Sequence, residues 1–312
     1  MGNFFHAVRV FGDHLAAVRW EFLALALALH LAKLVLRSFA WRAILSAAYP
    51  EKRPRLRSAF GAYVAGVGVN SVAPARAGDL IKLYLIKHRI PESRYATLTP
   101  TLVAETLFDT VVGIALVAWA LSIGALPAHE VYARLPSVDW GFFVRHEKWT
   151  AIVIASLLTI ALISFIVFLE RGEGFRERVG RGFAILRDPS RFLTRVIVPQ
   201  ALSWVLRGGS VYYFLRAFNI HASVHNTLLA MVVDSLATLF PATPGGAGTK
   251  QGLIVFLFKG EAVSKSALLA FSVGLNIATV VFNVVLGAIA LYAMARTLSW
   301  RRVRAAQAEE AA

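Results

Sequence analysis

The sequence PARAG at residues 74–78 and its counterpart PATPG at residues 241–245 decide how this chain folds. Each break interrupts an apolar stretch, and each is followed within a few residues by a lysine, Lys82 or Lys250. Because backbone freed from a helix at membrane depth cannot face lipid, both breaks must be buried in protein or line a watery cavity. Such breaks at corresponding positions of two halves of a membrane protein are typical of a binding site.

The composition around these breaks is that of an integral membrane protein. Hydrophobic residues make up 57% of the 312 residues and charged residues 16%, so the apolar surface exceeds that of a soluble domain. The windows 151–169 and 266–294 have the roughly twenty apolar residues that a helix needs to cross about 30 Å of hydrocarbon. The net charge of +15 is expected in loops that contact anionic headgroups, and we expect no nucleic-acid partner. The lack of cysteine excludes disulfides and Cys-based metal sites.

The charge between the apolar segments sets the predicted topology. Segments 42–57 and 82–94 are both basic, and the positive-inside rule places both in the cytoplasm. If 58–73 crossed the membrane, one of these basic segments would lie outside. We therefore predict that 58–90 is a re-entrant hairpin entering and leaving on the cytoplasmic side, and that 226–258 is a second hairpin entering from the opposite side.

The predicted fold is an all-α integral membrane protein, a polytopic helical bundle with two re-entrant broken-helix hairpins in an inverted repeat. Residues 1–312 form a single transmembrane domain, in which 149–169 joins a first half, about 20–123, to a second half, about 196–294. Residues 1–19 can form an interfacial helix, and 295–312 a basic, then acidic cytoplasmic tail. The basic stretch from Arg171 to Arg195 is predicted to be a cytoplasmic loop. The predicted apolar segments are 20–41, 58–73, 80–90, 97–123, 149–169, 196–217, 226–240, 249–258 and 266–294.

The first break carries a candidate phosphate site. Arg76, Asp79 and Lys82 follow Pro74, and a short helix starting near Gly78 would place Asp79 and Lys82 on one face. The positive end of such a helix, together with Arg76 and Lys82, is suited to holding a phosphate. The alternative is a cytoplasmic loop whose basic residues only follow the positive-inside rule.

The second break is richer in glycine. Pro244, Gly245, Gly246 and Gly248 precede Lys250, but the strand and the Gly-Lys-Ser/Thr ending of a nucleotide-binding loop are absent from the sequence. We interpret the glycines as a sharp turn that lets a lipid headgroup or another helix approach closely. An external loop rich in glycine and proline is the alternative.

Carboxylates in the apolar segments require partners. Glu105 and Asp109 lie four residues apart and share a helix face that cannot contact lipid. They form either a titratable functional pair or a structural ion pair with neighbouring cations. The expected partners are Arg76 or Lys82 in the hairpin, or Lys33 and Arg37 in the first segment. Lys33 and Arg37 can instead snorkel to the interface, and Arg207 with Asp234 is a candidate polar pair of the second half.

Three segments resemble one known family: 70–82 (NSVAPARAGDLIK), 105–109 (ETLFD) and 240–252 (FPATPGGAGTKQG). They are similar to the lysylphosphatidylglycerol synthase transmembrane regions, the flippase-like membrane domain of the multiple peptide resistance factor, and the resemblance covers nearly the whole chain. Four residues depart from the family pattern: Asp79, Lys82, Thr106 and Gln251. These departures affect the expected identity of the lipid more than the expected fold.

The resemblance implies a flippase-like transporter that moves an anionic or polyprenyl-phosphate-linked lipid across a bacterial or archaeal cytoplasmic membrane, with the hairpin tips binding the headgroup. We expect no aminoacylation, because a chain that ends soon after its last apolar segment leaves no room for the soluble transferase domain. The alternative is a non-catalytic membrane partner of a lipid synthase or glycosyltransferase. The sequence shows no catalytic triad or metal-ligand cluster, so we predict neither an enzyme nor a cofactor, and the oligomeric state stays open.

Overall fold

The computed structural model describes residues 17–73, 76–125, 173–239, 248–258 and 263–310, and every regular element among them is a helix. The prediction of an all-α fold is confirmed. A 3-10 turn, Ala184–Arg187, and a π-helical turn, Leu193–Ile197, flank the short α6. The α-helices, in chain order, are α1 (Trp20–Ala48), α2 (Leu56–Val72), α3 (Ala77–Lys87), α4 (Tyr95–Ser122), α5 (Glu173–Gly182), α6 (Pro189–Phe192), α7 (Val198–Ala217), α8 (Val224–Leu239), α9 (Thr249–Leu257) and α10 (Lys265–Glu310).

All of these helices except α5 and α6 match predicted apolar segments to within a few residues at their starts. The joining span 149–169 and most of the predicted interfacial helix lie outside the described residues. The residues of the predicted tail continue α10 as helix to Glu310. The segment from Arg171 to Arg195, predicted as a cytoplasmic connection, holds short helices and turns from residue 173 onward, and its side of the membrane stays a prediction. A high density of charge signals exposure rather than loop structure, because arginine and glutamate are good helix formers.

Three of the described helices are both long and apolar enough to cross a bilayer: α1, α4 and the Lys265–Arg296 part of α10. The more polar α7 is not among them, so its crossing stays a prediction. Helices α4 and α10 each expose an apolar stripe at three- and four-residue spacing, which is suited to lipid rather than water. The stripe residues are Val103, Leu107, Val111 and Ile114 on α4, and Ile277, Val281, Val285 and Ile289 on α10.

Helices α2 and α3 pack against each other as the two arms of the first hairpin. A Cβ atom at Gly66 of α2 would lie 2.8 Å from the carbonyl oxygen of Gly78 in α3, so only glycine permits this approach. The arms have 17 and 11 residues, and those of the second hairpin, α8 and α9, have 16 and 9. At about 1.5 Å per residue, each arm is shorter than the roughly 30 Å of a hydrocarbon core.

The two hairpins start and finish at opposite ends of the bundle. Lys52, before α2, lies 2.7 Å from Glu92, after α3, which brings both ends of the first hairpin together near the C-terminus of α1. At the N-terminus of α1, the backbone N–H of Arg19 donates to the carbonyl of Ala217 at the end of α7. Residues from the ends of α7 and α9 and the start of α10 pack there in one cluster, so both ends of the second hairpin lie at that side.

Packing between the halves is reciprocal. Helix α1 packs along α7, α2 of the first half packs on α10, and α8 of the second half packs on α4. The contact between α2 and α10 is close, since a Cβ at Gly68 would lie 2.9 Å from the Cα of Gly287. This exchange of partners is expected for two repeats related by a pseudo-two-fold axis, while the inverted repeat and the membrane faces from which the hairpins enter stay predictions.

Candidate functional site

The first-half cluster consists of Arg37 on α1, Lys82 on α3, and Glu105 and Asp109 on α4. Lys82 Nζ lies 2.5 Å from Glu105 Oε2, and both side chains are buried. Arg37 donates from both terminal nitrogens to the two oxygens of Asp109, and its Nη2 lies 3.5 Å from Glu105 Oε1. Two cations thus face two carboxylates, which is how buried charges are normally retained at membrane depth.

Aromatic side chains support this cluster. The Lys82 ammonium lies 4.2 Å from the ring centre of Trp41 and 4.1 Å from that of Tyr63, at cation–π distance. The hydroxyl of Tyr63 also accepts a hydrogen bond of 2.6 Å from Arg37 Nε. Trp204 of α7 donates its Nε1–H to Asp109 Oδ1 over 2.8 Å, so the second half contributes directly to the first-half cluster.

A cavity of about 140 Å³ opens beside these ion pairs, between α1, the first hairpin and α4. Arg76 and Asp79 line it together with the four residues of the first-half cluster. Arg76 is exposed, and within the described part of the chain no carboxylate pairs with it. Asn70 holds the start of α3 in place: its Oδ1 accepts from the N–H of Gly78 over 2.7 Å, and its Nδ2 donates to Asp79 over 3.2 Å.

The second-half cluster consists of Arg207 on α7, Asp234 on α8, Lys250 on α9 and Lys33, which α1 contributes from the first half. Asp234 Oδ1 lies 2.9 Å from Lys250 Nζ, and Asp234 Oδ2 lies 3.4 Å from Arg207 Nη2. The Arg207 guanidinium lies 4.5 Å from the ring centre of Trp204. Trp204 therefore contacts both clusters, through its N–H on one side and its ring face on the other.

A neutral hydrogen-bonded chain holds Lys33. His30 Nε2 lies 2.9 Å from Asn283 Oδ1, and Asn283 Nδ2 donates to Ser71 Oγ over 3.1 Å. Because an amide oxygen only accepts, we assign the imidazole proton to Nε2, and the free Nδ1 then accepts from Lys33 Nζ at 3.1 Å. The chain joins α1, α10 and α2 without supplying a negative charge to Lys33.

The structure sorts the predicted site residues into those it brings together and those it does not. Of the four expected partners of Glu105 and Asp109, Lys82 and Arg37 form the ion pairs, whereas Arg76 and Lys33 do not. The predicted pair of Arg207 and Asp234 is confirmed. The alternative that Lys33 and Arg37 snorkel to the interface is wrong, because Lys33 binds the buried His30 and Arg37 binds Asp109 of α4.

The two breaks themselves are described only in part. The helix predicted near Gly78 begins at Ala77, and Asp79 and Lys82 both face the cavity, as expected. Gly248 has a φ of 84°, a conformation that favours glycine, and its N–H donates to the side chain of Gln251 at the start of α9. Pro244, Gly245 and Gly246 lie outside the described residues, so the proposed turn there stays a prediction.

Three aromatic residues of the site have no counterpart among the sequence predictions. Trp41 and Tyr63 contact Lys82, and Trp204 contacts Asp109 and Arg207. Of the three, only Trp204 could have been predicted from the sequence, because it lies three residues before Arg207 and therefore on the same helix face.

Comparison with known proteins identifies the family. The family described as the lysylphosphatidylglycerol synthase TM region matches residues 4–287, so the chain belongs to it and is a membrane protein of this family. A UPF0104 membrane protein of Methanocaldococcus jannaschii is 23% identical over 241 residues, which cover 74% of this chain and 95% of the relative. A UPF0104 membrane protein of Methanothermobacter thermautotrophicus is 25% identical over 306 residues, covering 90% and 86%. No solved structure gives a significant match.

Proposed function

We propose that this protein is a flippase-like transporter that crosses a bacterial or archaeal cytoplasmic membrane several times and moves an anionic or polyprenyl-phosphate-linked lipid between its leaflets. One observation carries the proposal: a cavity of about 140 Å³ lined by three cations and three carboxylates lies between two hairpin arms that are too short to span a bilayer. Ionisable groups at such depth are costly and mark substrate pathways by default.

Arg76 makes the first contact with the lipid phosphate. It is exposed at the cavity and lacks a carboxylate partner among the described residues, so its charge is available without breaking an ion pair. Lys82 lies deeper and is held by Glu105. A phosphate that replaces Glu105 as the partner of Lys82 preserves the local charge balance, and we propose this exchange as the step that admits the headgroup.

The protein supplies no reaction of its own in this proposal. The described residues contain no group of three or more histidine or carboxylate side chains that could hold a metal ion. Their ion pairs bind and release charge, which suits transport. The alternative role is that of a non-catalytic membrane partner of a lipid synthase or glycosyltransferase, which would bind the same headgroup without moving it.

The test is a headgroup-accessibility assay in proteoliposomes with phosphatidylglycerol, phosphatidylcholine and a polyprenyl phosphate. We expect the wild-type protein to expose the anionic lipids to the opposite leaflet, and Arg76→Ala to slow this by about ten-fold or more. Arg55→Ala is the matched control, because Arg55 is likewise exposed and precedes α2 as Arg76 precedes α3. Wild-type rates in the Arg76→Ala/Lys82→Ala double variant would exclude the phosphate contact and favour the partner role.

A further inference from the structure

The second-half cluster contains more cations than carboxylates. Arg207 and Lys250 both contact Asp234, and Lys33 is near enough to interact electrostatically with the same carboxylate. Lys33 and Arg207 are also close enough to repel each other. Asp109, the next nearest carboxylate, is already bound by both terminal nitrogens of Arg37. The cluster therefore carries a surplus of positive charge that the first-half cluster does not.

The contacts of Lys33 make this surplus explicit. Among the described residues, no carboxylate lies within 4.0 Å of its ammonium, and the bond it makes is to the neutral His30. Lys33 lies near the middle of α1, about 20 Å of helix from either end, which is farther than a lysine side chain extends along the helix. An isolated cation at this depth is strongly disfavoured unless an anion or water meets it.

Asp234 is placed where a phosphate would be. Each of its carboxylate oxygens contacts a different cation, Lys250 on one side and Arg207 on the other. A phosphate presents two oxygens to two such donors in the same forked manner. The cavity that Asp234 and Lys250 border has only about 20 Å³, room for roughly one water molecule, and its other lining residues are mostly apolar. An incoming anion must therefore displace the carboxylate rather than sit beside it.

We propose that the second-half cluster is an anion-binding site for a phosphate group, and that Asp234 acts as an internal competitor occupying the place of the phosphate when no ligand is bound. Lys250 and Arg207 grip the phosphate oxygens, and Lys33 supplies the third positive charge. Trp204 holds the Arg207 guanidinium against its ring, so the cation stays in place when Asp234 moves away. The site stands whether or not the protein moves lipid.

Equilibrium binding of radiolabelled inorganic phosphate to the purified, detergent-solubilised protein tests this site. Removing a competitor and removing a ligand group have opposite effects on phosphate affinity. The Asp234→Asn variant should bind phosphate at least about ten-fold more tightly than wild type, and the Lys250→Gln variant at least about ten-fold more weakly. Lys52→Gln, which removes an exposed charge far from the cluster, should leave binding unchanged and controls for overall electrostatics. Size-exclusion profiles and unfolding temperatures identify the folded variants.

Two further arms distinguish the source of the phosphate. Displacement of labelled phosphate by dihexanoyl phosphatidylglycerol, with a weaker effect of dihexanoyl phosphatidylcholine, assigns the site to an anionic lipid headgroup. Phosphate binding that neither lipid displaces assigns it to free phosphate. A folded Asp234→Asn variant that binds no more tightly than wild type overturns the proposal, as does unchanged binding by Lys250→Gln. Phosphate binding without lipid movement in proteoliposomes would refute transport alone.

Discussion

The two halves of the molecule contain similar helices and charged residues, but they differ in the charge balance of their clusters. Each half has a helical hairpin with arms too short to span a bilayer, and each places a lysine from the second arm against a carboxylate of a neighbouring helix. In the first half, two cations face the buried Glu105 and the half-buried Asp109 beside a cavity of about 140 Å³. In the second half, Arg207 and Lys250 contact Asp234 and Lys33 lies near it, beside a cavity of about 20 Å³.

This difference shows that charge balance and cavity size go together in this structure. The first-half cluster is neutral without a ligand, so a water-accessible cavity can remain open beside it. The second-half cluster has a surplus of cations around one internal carboxylate and borders a much smaller cavity. Trp204 touches Asp109 and Arg207 and so joins the balanced cluster to the unbalanced one. We therefore expect that replacement of Asp234 by an external anion changes the interactions of Asp109.

The largest expected effect concerns the opposite orientation of the two hairpins. The chain has no cysteine, so single-cysteine variants at Lys52, Glu92 and His221 need no altered background. Lys52 and Glu92 form an ion pair at one end of the bundle, and His221 is exposed just after α7 at the other. We expect an impermeant thiol reagent to label positions 52 and 92 from one face of the membrane and position 221 from the opposite face. Labelling of 52 and 92 from different faces would refute the re-entrant first hairpin.

The next largest effect is on the free energy of unfolding, and it compares the buried Glu105 with the half-buried Asp234. Glu105→Gln leaves Lys82 without its partner in a site where both side chains are buried, so we expect a loss of about 3–5 kcal/mol in the free energy of unfolding. Asp234→Asn should cost less, because the side chains of its cluster are 21–22% exposed and water can replace part of the interaction. Equilibrium unfolding in mixed detergent micelles measures both.

Lys52→Gln is the control for these losses, and we expect no measurable change in stability. Lys52 lowers the pKa of the exposed Glu92 carboxyl through a hydrogen bond and its charge. The small contribution of this pair is therefore present at neutral pH and disappears as the pH falls through that lowered pKa. A loss for Lys52→Gln equal to that of Glu105→Gln would show that burial does not set the strength of these ion pairs.

The smallest effect tests whether Trp204 connects the clusters. Trp204→Phe keeps an aromatic ring under Arg207 but removes the N–H bound to Asp109, which should cost about 1.5–3 kcal/mol. Trp204→Leu also loses the cation–π contact with Arg207, which should cost a further ~0.5–2 kcal/mol. Combining Trp204→Phe with Asp109→Ala, which removes the acceptor, in a double-mutant cycle measures the coupling between the indole N–H and the carboxylate. Equal losses for the Phe and Leu variants would mean that the ring contact with Arg207 contributes nothing.

The sequence by itself determined the features that depend on local spacing and composition. Apolar segments of helical length predicted the all-α membrane fold, and the break at residues 74–78 predicted where α3 begins. The four-residue separation of Glu105 and Asp109 placed both carboxylates on one face of α4. Helix geometry links each of these features to residues close in the chain, so no knowledge of the remaining fold was needed. The basic stretch ending at Arg195 shows the limit, since its charge predicted the side of the membrane but not the short helices that it forms.

Only the tertiary structure decided which charges pair. Four cations were plausible partners for Glu105 and Asp109, and the crossing of α1, α3 and α4 selected Lys82 and Arg37. The contact of His30 with Asn283 joins residues 253 positions apart, and that of Trp204 with Asp109 joins residues 95 positions apart. Such contacts depend on how helices pack and which way each side chain points, which residue spacing within one helix does not specify. The surplus of cations around Asp234 arises in the same way, because α1 brings Lys33 to a cluster formed by the other half of the chain.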